Sequence, residues 1–414
     1  MAPLQQIETL AIGDELLTGR VSDTNSTFVA AKLLAHGWPL SRTTVISDRI
    51  PETIDAINEV SKRADAAIVF GGLGPTSDDK TTEAVVQMIG DGYLEDEAAK
   101  KHLENFYAEK GRAVTKTALK QVTYPKGTEP LANPLGMAVP FYWKKGKCHL
   151  FFLPGVPREM KNVFGERVLP RLLRVLTAES GINYRQWRCL GIWESQLQEI
   201  LDPIERLLPE GAAIGYRTTF PENHVSLYWP RKHPANDFES VVEKLSTTLR
   251  KWAYTDTEKD LETLVLEILD QRRLTLALAE SCTGGETAAR LTRIPKASKN
   301  FFGCFVPYQA GAKGKMLSLN LKKESDAVSQ SCTHDLVLAA RERSGADLVG
   351  AVTGYLGPTG GTAEDPIGTI YVAVLNKEKW LESRISLSEK ERPLMQWAAS
   401  TYLLHTLWRS LVES

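Results

Sequence analysis

Paired cysteines are missing from this 414-residue chain. Its five, Cys148, Cys189, Cys282, Cys304 and Cys332, are odd in number and scattered, with no C-x-x-C spacing. That argues against a disulfide framework and against a thiolate zinc site. Excess charge is missing too. Fifty Lys and Arg against 51 Asp and Glu leave a net charge of −1, so no bulk attraction to nucleic acid or to an anionic membrane operates. No uncharged apolar run approaches the roughly 20 residues a membrane helix needs, and the opening MAPLQQIETLAIGDE has no basic flank or cleavage pattern. A cytoplasmic protein with neither nucleic-acid nor membrane partners is expected. Histidine is scarce where hydrolytic chemistry would want it. Of seven, only His334 and His405 fall in the last third, neither at the end of a strand-like run, so a Ser-His-Asp arrangement is poorly supported.

The length calls for two or three domains. Residues 1–169 alternate strand-like runs (Ile7 to Ile12, Ala64 to Phe70) with helical ones (Asn25 to His36, Thr81 to Gly90), the order of a parallel sheet with helices on both faces. Residues 170–255 read as a small α+β linking module. Strand and helix alternate again over residues 256–414. The expected fold class is α/β, two three-layer α/β domains joined by that module.

Most chemistry gathers around Leu274 to Leu291, LTLALAESCTGGETAARL. An apolar run feeds a glycine turn and then a helical stretch, a junction that leaves backbone N–H groups unpaired in one small volume. Such a volume suits an anion or the oxyanion of acyl transfer. Ser281 is the candidate nucleophile, although Ser281 or Thr283 serving as a helix N-cap explains the same letters. Lys313, at a helix entry five residues after Tyr308, is a candidate base if burial strips its proton; a solvated lysine on a helix surface is the plainer alternative. The Tyr308 hydroxyl could pass or steady that proton. Cys282 is a rival nucleophile with no evident histidine partner. In the first segment, Asp14, Glu15, Asp78 and Asp79 could hold a hard divalent cation, with glycine N–H groups on a phosphate. Taken singly, each also fits a helix cap or a solvated turn.

Several of these stretches together resemble the CinA family. Glu280-Ser281-Cys282-Thr283-Gly284-Gly285, Val306-Pro307-Tyr308 with Ala312-Lys313, Thr353-Gly354 with Gly357-Pro358 and Gly360-Gly361-Thr362, and Pro366-Ile367-Gly368-Thr369 are similar to its C-terminal nicotinamide mononucleotide deamidase domain. Gly13-Asp14-Glu15, Asp23-Thr24-Asn25, Gly71-Gly72-Leu73-Gly74-Pro75-Thr76 with Asp78-Asp79, Asn133-Pro134-Leu135-Gly136 and Leu153-Pro154-Gly155 resemble its molybdopterin-binding-like domain. The resemblance implies a Ser/Lys amidohydrolase with Ser281, Lys313 and Tyr308 catalytic and no cofactor. Thr283, Gly284, Gly285, Thr353, Gly354, Gly357, Gly360, Gly361 and Arg392 would bind the substrate, nicotinamide mononucleotide. It further implies an N-terminal site at Gly13, Gly71, Gly72, Gly74, Thr76, Asn133 and Gly136. There a divalent metal such as Mg, on Asp14, Glu15, Asp78 and Asp79, would serve ADP-ribose hydrolysis. A homodimer is expected on the same ground. Tyr355, Leu356, Thr359 and Gln396 depart from the usual pattern, as does Lys390-Glu391 before Arg392. Those departures leave open a non-catalytic nucleotide- or pterin-binding protein, or molybdenum cofactor handling by the first segment.

Overall fold

A computed structural model describes residues 5–177, 181–321, 323–388 and 391–413 of the chain; Lys390, one of the departures above, lies outside them. The chain forms two compact units, the described parts of Met1–Tyr184, Leu207–Ala213 and Leu227–Val242, and of Arg185–Arg206, Ile214–Ser226 and Glu243–Ser414.

In the first unit the chain runs β1 (Ile7–Ile12), α1 (Asp14–Leu17), α2 (Thr24–Ala35), β2 (Arg42–Ile46), α3 (Ile50–Arg63), β3 (Ala66–Phe70) and α4 (Thr81–Ile89). It continues through β4 (Tyr93–Glu95), α5 (Glu97–Glu109), α6 (Lys116–Leu119), β5 (Thr123–Pro125), β6 (Glu129–Pro130), β7 (Phe141–Lys145), β8 (Cys148–Leu153), α7 (Pro157–Val163) and α8 (Leu169–Val175). Six strands join in the order β2-β1-β3-β8-β7-β6. Strands β1 and β3 are buried at every position, which is why they read as continuous apolar runs. Alternate residues feed two cores. Ile7, Ala11 and Ile68 pack with Val29, Leu33 and Phe164, whereas Leu10, Ala67 and Val69 pack with Ile57, Val60 and Val85. The sheet is not wholly parallel as the alternation suggested: β7 pairs antiparallel with β8 and with β6. Two residues around Gly146 separate β7 from β8, too few for the crossover a parallel pair requires.

Residues 182–255 carry β9 (Ile182–Leu190), α9 (Glu194–Glu205), β10 (Ala213–Thr219), β11 (Glu222–Pro230), α10 (Ala235–Leu249) and β12 (Ala253–Thr255). These strands make a four-stranded sheet ordered β10-β11-β9-β12.

The second unit continues with α11 (Leu261–Arg272), β13 (Leu276–Glu280), α12 (Glu286–Thr292), β14 (Phe301–Phe305), α13 (Ala310–Leu317), α14 (Gln330–Ser344), β15 (Leu348–Gly354), β16 (Thr369–Asn376), β17 (Lys379–Ser386) and α15 (Arg392–Val412). Its five-stranded sheet is ordered β14-β13-β15-β16-β17, parallel over the first three and antiparallel beyond. One face carries α11, α12 and α15 through Leu261, Leu291 and Leu403; the other carries α13 and α14 through Leu317 and Leu336. Three layers result in each unit. Among the described residues no helix is long and apolar enough to cross a membrane.

Candidate active site

Strand β13 is paired on both edges, and the residue that follows it is Ser281, whose N–H donates to Val352 O at 3.1 Å and so extends the ladder with β15. Ser281 is not a helix cap. The N-cap of α12 is Gly285, at φ 100°, a left-handed conformation that only glycine adopts without strain. Between them the Gly284 N–H donates to Ser281 O at 3.1 Å, which corrects the expectation that it would face an oxyanion. The N–H groups of Cys282, Thr283 and Gly285 make no hydrogen bond among the described residues.

Glu280 opens the motif that holds the serine, and nothing else in the sequence marks it out. Its carboxylate, entirely buried, accepts from Thr287 N at 3.0 Å and Ala288 N at 2.8 Å, so the first turn of α12 is fastened to the residue preceding the serine. Arg290 fastens the same helix from its far side. Its guanidinium pairs with Glu262 at 2.7 and 3.0 Å, donates to Thr401 Oγ1 at 2.8 Å, and lies 3.9 Å over the Trp397 ring. Neither contact was legible beforehand, because both depend on how separate helices pack.

Lys313, on α13, is 1% exposed, and its Nζ donates to Ser281 Oγ at 2.9 Å and to Pro307 O at 3.3 Å. Among the described residues no carboxylate pairs with it. Burial holds its pKa below the ordinary lysine value, only partly offset by the Cys332 and Cys282 thiols. The solvated-lysine alternative is therefore excluded, and a base without a counter-ion sits against the serine. Cys282 does not compete. It is buried, and burial together with Glu280 pushes its thiol up to about 12.

A cavity of about 570 Å³ opens on this pair, lined among others by Tyr308, Gln309, Gly354, Tyr355, Gly357 and Arg392. Tyr308 is 55% exposed, and its hydroxyl accepts from Arg392 Nη2 at 2.7 Å, so the hydrogen bond it makes is with the arginine, not with the serine–lysine pair. Arg392 also donates to Gly357 O, which ties the start of α15 to the glycine loop. Thr283, Gly284, Gly285, Thr353, Gly360 and Gly361 lie outside the lining of this cavity. Thr353 is fully buried and bonds the Thr333 hydroxyl at 2.7 Å. Gln396 donates to Cys282 O at 3.3 Å.

The first unit has its own cavity, about 420 Å³, at the C-terminal ends of β1, β3 and β8. Gly71, Gly72, Gly74, Glu15, Asp78 and Asp79 line it. Gly13, Asp14, Thr76, Asn133 and Gly136 do not, and Asn133 and Gly136 border a separate cavity of about 380 Å³. Asp79 is occupied in accepting from the Thr76 N–H at 2.9 Å. Two further residues wall it, Asp48, which no motif flags, and Asn25, which the sequence offers only within Asp23-Thr24-Asn25. Asp48 accepts from the Asp14 N–H at 2.9 Å, and burial, then the nearby acids Glu15, Asp14 and Asp78, hold its carboxyl above the usual range. Asn25 donates to Gly155 O at 2.8 Å while its Oδ1 is buried without a partner. Among the described residues no three His, Cys, Asp or Glu side chains gather as a metal-holding group, so Asp14, Glu15, Asp78 and Asp79 form no protein-only cage. The oxygen donors that remain suit a cation bound through one or two carboxylates and completed by water and substrate oxygens, the habit of Mg²⁺.

Fold and cavities together define a tandem α/β protein, a unit with an acid-walled cavity at its strand ends followed by one that buries a lysine against a serine. Residues 8–174 match the family described as a probable molybdopterin binding domain, and residues 258–411 match the CinA C-terminal domain. A CinA-like protein of Myxococcus xanthus is 37% identical over 377 residues, 89% of each chain, and one of Shewanella piezotolerans is 30% identical over 99% of this chain and 96% of its own. The chain belongs to the CinA family. It is also similar to the crystal structure of the protein CinA, of unknown function, from Thermoplasma acidophilum, at 30% identity over 41% of this chain and 99% of that one, with a TM-score of 0.37.

Proposed function

We propose that the second unit hydrolyses the carboxamide of nicotinamide mononucleotide, giving nicotinic acid mononucleotide and ammonia without a metal or other cofactor. The observation that carries this is the buried Lys313 amine, without a carboxylate partner among the described residues, 2.9 Å from Ser281 Oγ. In its neutral form Lys313 Nζ takes the Ser281 proton as Oγ attacks the amide carbon. The tetrahedral oxyanion is met by the unpaired N–H groups of the turn after Ser281. Collapse returns the proton from Lys313 to the departing nitrogen, ammonia leaves, and an acyl ester remains on Ser281. Water, deprotonated by the same amine, attacks the ester and releases the acid and the serine. Arg392 supplies positive charge for the substrate phosphate, and Tyr308 holds that guanidinium at the cavity wall.

Ammonia release by the purified chain, measured over a panel of amides with and without divalent metal, tests the reading. Metal-independent turnover that Ser281→Ala abolishes is expected, and undiminished turnover in that variant removes it.

A second reading concerns the first unit, and the observation favouring it is the acid-walled cavity beside Gly71 to Gly74. It would cleave the diphosphate of ADP-ribose. A divalent metal such as Mg would neutralise the diphosphate there, held through Asp48, Glu15 or Asp78. The glycine turn would carry the phosphates on its N–H groups, and the open Asn25 Oδ1 would accept from the ligand.

A further inference from the structure

We propose that Tyr355 sets the substrate specificity of the Ser281–Lys313 centre by walling it off from a second, acid-lined cavity; this rests on the amidase reading above. The cavity holding Ser281 and Lys313, about 570 Å³, and a neighbouring one of about 700 Å³ share two wall residues, Tyr355 and Val328. Their charges are opposite. Among the described residues the first is lined by Lys313 and Arg392 and by no carboxylate; the second is lined by Asp326, Asp335, Glu364 and Asp365, of which Asp365 is paired with Arg384 at 3.0 Å.

Between them Tyr355 is fixed at its backbone on both sides. Its N–H donates to Thr369 O at 2.9 Å, and its carbonyl accepts from Gly368 N at 2.7 Å, so the residue is held to the start of β16. A Cβ placed on Gly360 would meet the ring at 3.5 Å, so the ring faces the open side of that glycine. The backbone is thereby fixed, and Tyr355 stands between the two cavities as a wall of both. With the ring in place, a substrate reaching the serine has Arg392 for its anionic end and no passage toward the carboxylates. Without it, the two spaces merge. The acid-lined side then disfavours a phosphate and favours a cation, because specificity is the difference between the two affinities.

Two amides separate these cases: the mononucleotide, and its dephosphorylated riboside, which keeps the cationic pyridinium ring and carries no phosphate. The readout is the ratio of kcat/KM for ammonia release from the mononucleotide to that from the riboside. Tyr355→Ala should lower this ratio about tenfold or more, mainly by raising KM for the mononucleotide and lowering it for the riboside. Tyr355→Phe, which keeps the ring, should hold the wild-type ratio, and Tyr355→Leu should fall between if the alanine variant does not fold. Asp335→Asn placed in the Tyr355→Ala protein should bring the ratio back up, since that exposed carboxylate supplies charge without touching the Ser281–Lys313 centre. An unchanged ratio in the alanine and leucine variants overturns the assignment, as does equal loss on both substrates, which would mark a structural role. Failure of the wild-type chain to release ammonia from either amide instead removes the amidase reading, and the partition with it.

Discussion

At Lys313 burial acts twice, once on chemistry and once on stability. A lysine whose folded pKa lies below its ordinary 10.5 is a better base near neutrality, so ammonia release should climb with pH along a limb centred below 10.5. The same displacement is a cost to the fold. Between the lowered folded value and the unfolded one the unfolded chain binds more protons, so stability rises with pH across that window and falls as pH drops through the folded pKa. Lys313→Met keeps the stem's volume and removes the amine. It should abolish turnover yet leave the protein as stable as wild type or more so at pH 7, with the difference narrowing as pH approaches about 10.4. Thermal unfolding of both proteins at three pH values checks this, and a methionine variant that melts well below wild type at pH 7 would contradict it. The pairing itself could be suspected from Tyr308, Ala312 and Lys313 in order, but the missing counter-ion could not, because only packing decides which neighbours a lysine has.

For the element that carries the nucleophile, the decisive side chain is Glu280. Helix α12 has no side-chain cap at Gly285, and two of its first N–H groups end on this buried carboxylate. Glu280→Ala strands both in the interior, at about 1–3 kcal/mol for each unsatisfied group, so a loss of roughly 3 kcal/mol is expected, read from the urea midpoint. The run Leu274 to Ala279 announced β13, and Thr283-Gly284-Gly285 announced a turn, because apolar burial and left-handed glycine leave direct marks on composition. Strand direction leaves none. That β17 runs antiparallel to β16 follows from the short turn near Lys377, at φ 56°, and not from the character of the strands themselves. Asp48 was hidden for a related reason: Ser47-Asp48 closes β2 without a glycine to flag it, and only the fold sets it beside Glu15 and Asp78.

Across the whole molecule, each unit walls its own cavity with its own residues, so the two activities proposed here should fail separately. In the full-length chain Ser281→Ala should abolish ammonia release and spare diphosphate cleavage, whereas Asp48→Asn should do the reverse. Loss of both in either variant would show that the units are not independent. The two-fold recurrence of strand and helix was plain in the sequence, since each parallel strand is a short apolar run set between helices of 3.6-residue period. Ser281 stands one residue past a strand locked on both edges, while Lys313 rides on a helix of eight residues. The nucleophile is thus held by the strand ladder, and the base reaches it from a helix on one face of the sheet. A group settling against Gln309 and Gly311, at the near end of that helix, therefore meets the element that carries the base and not the strand that presents the attacking atom.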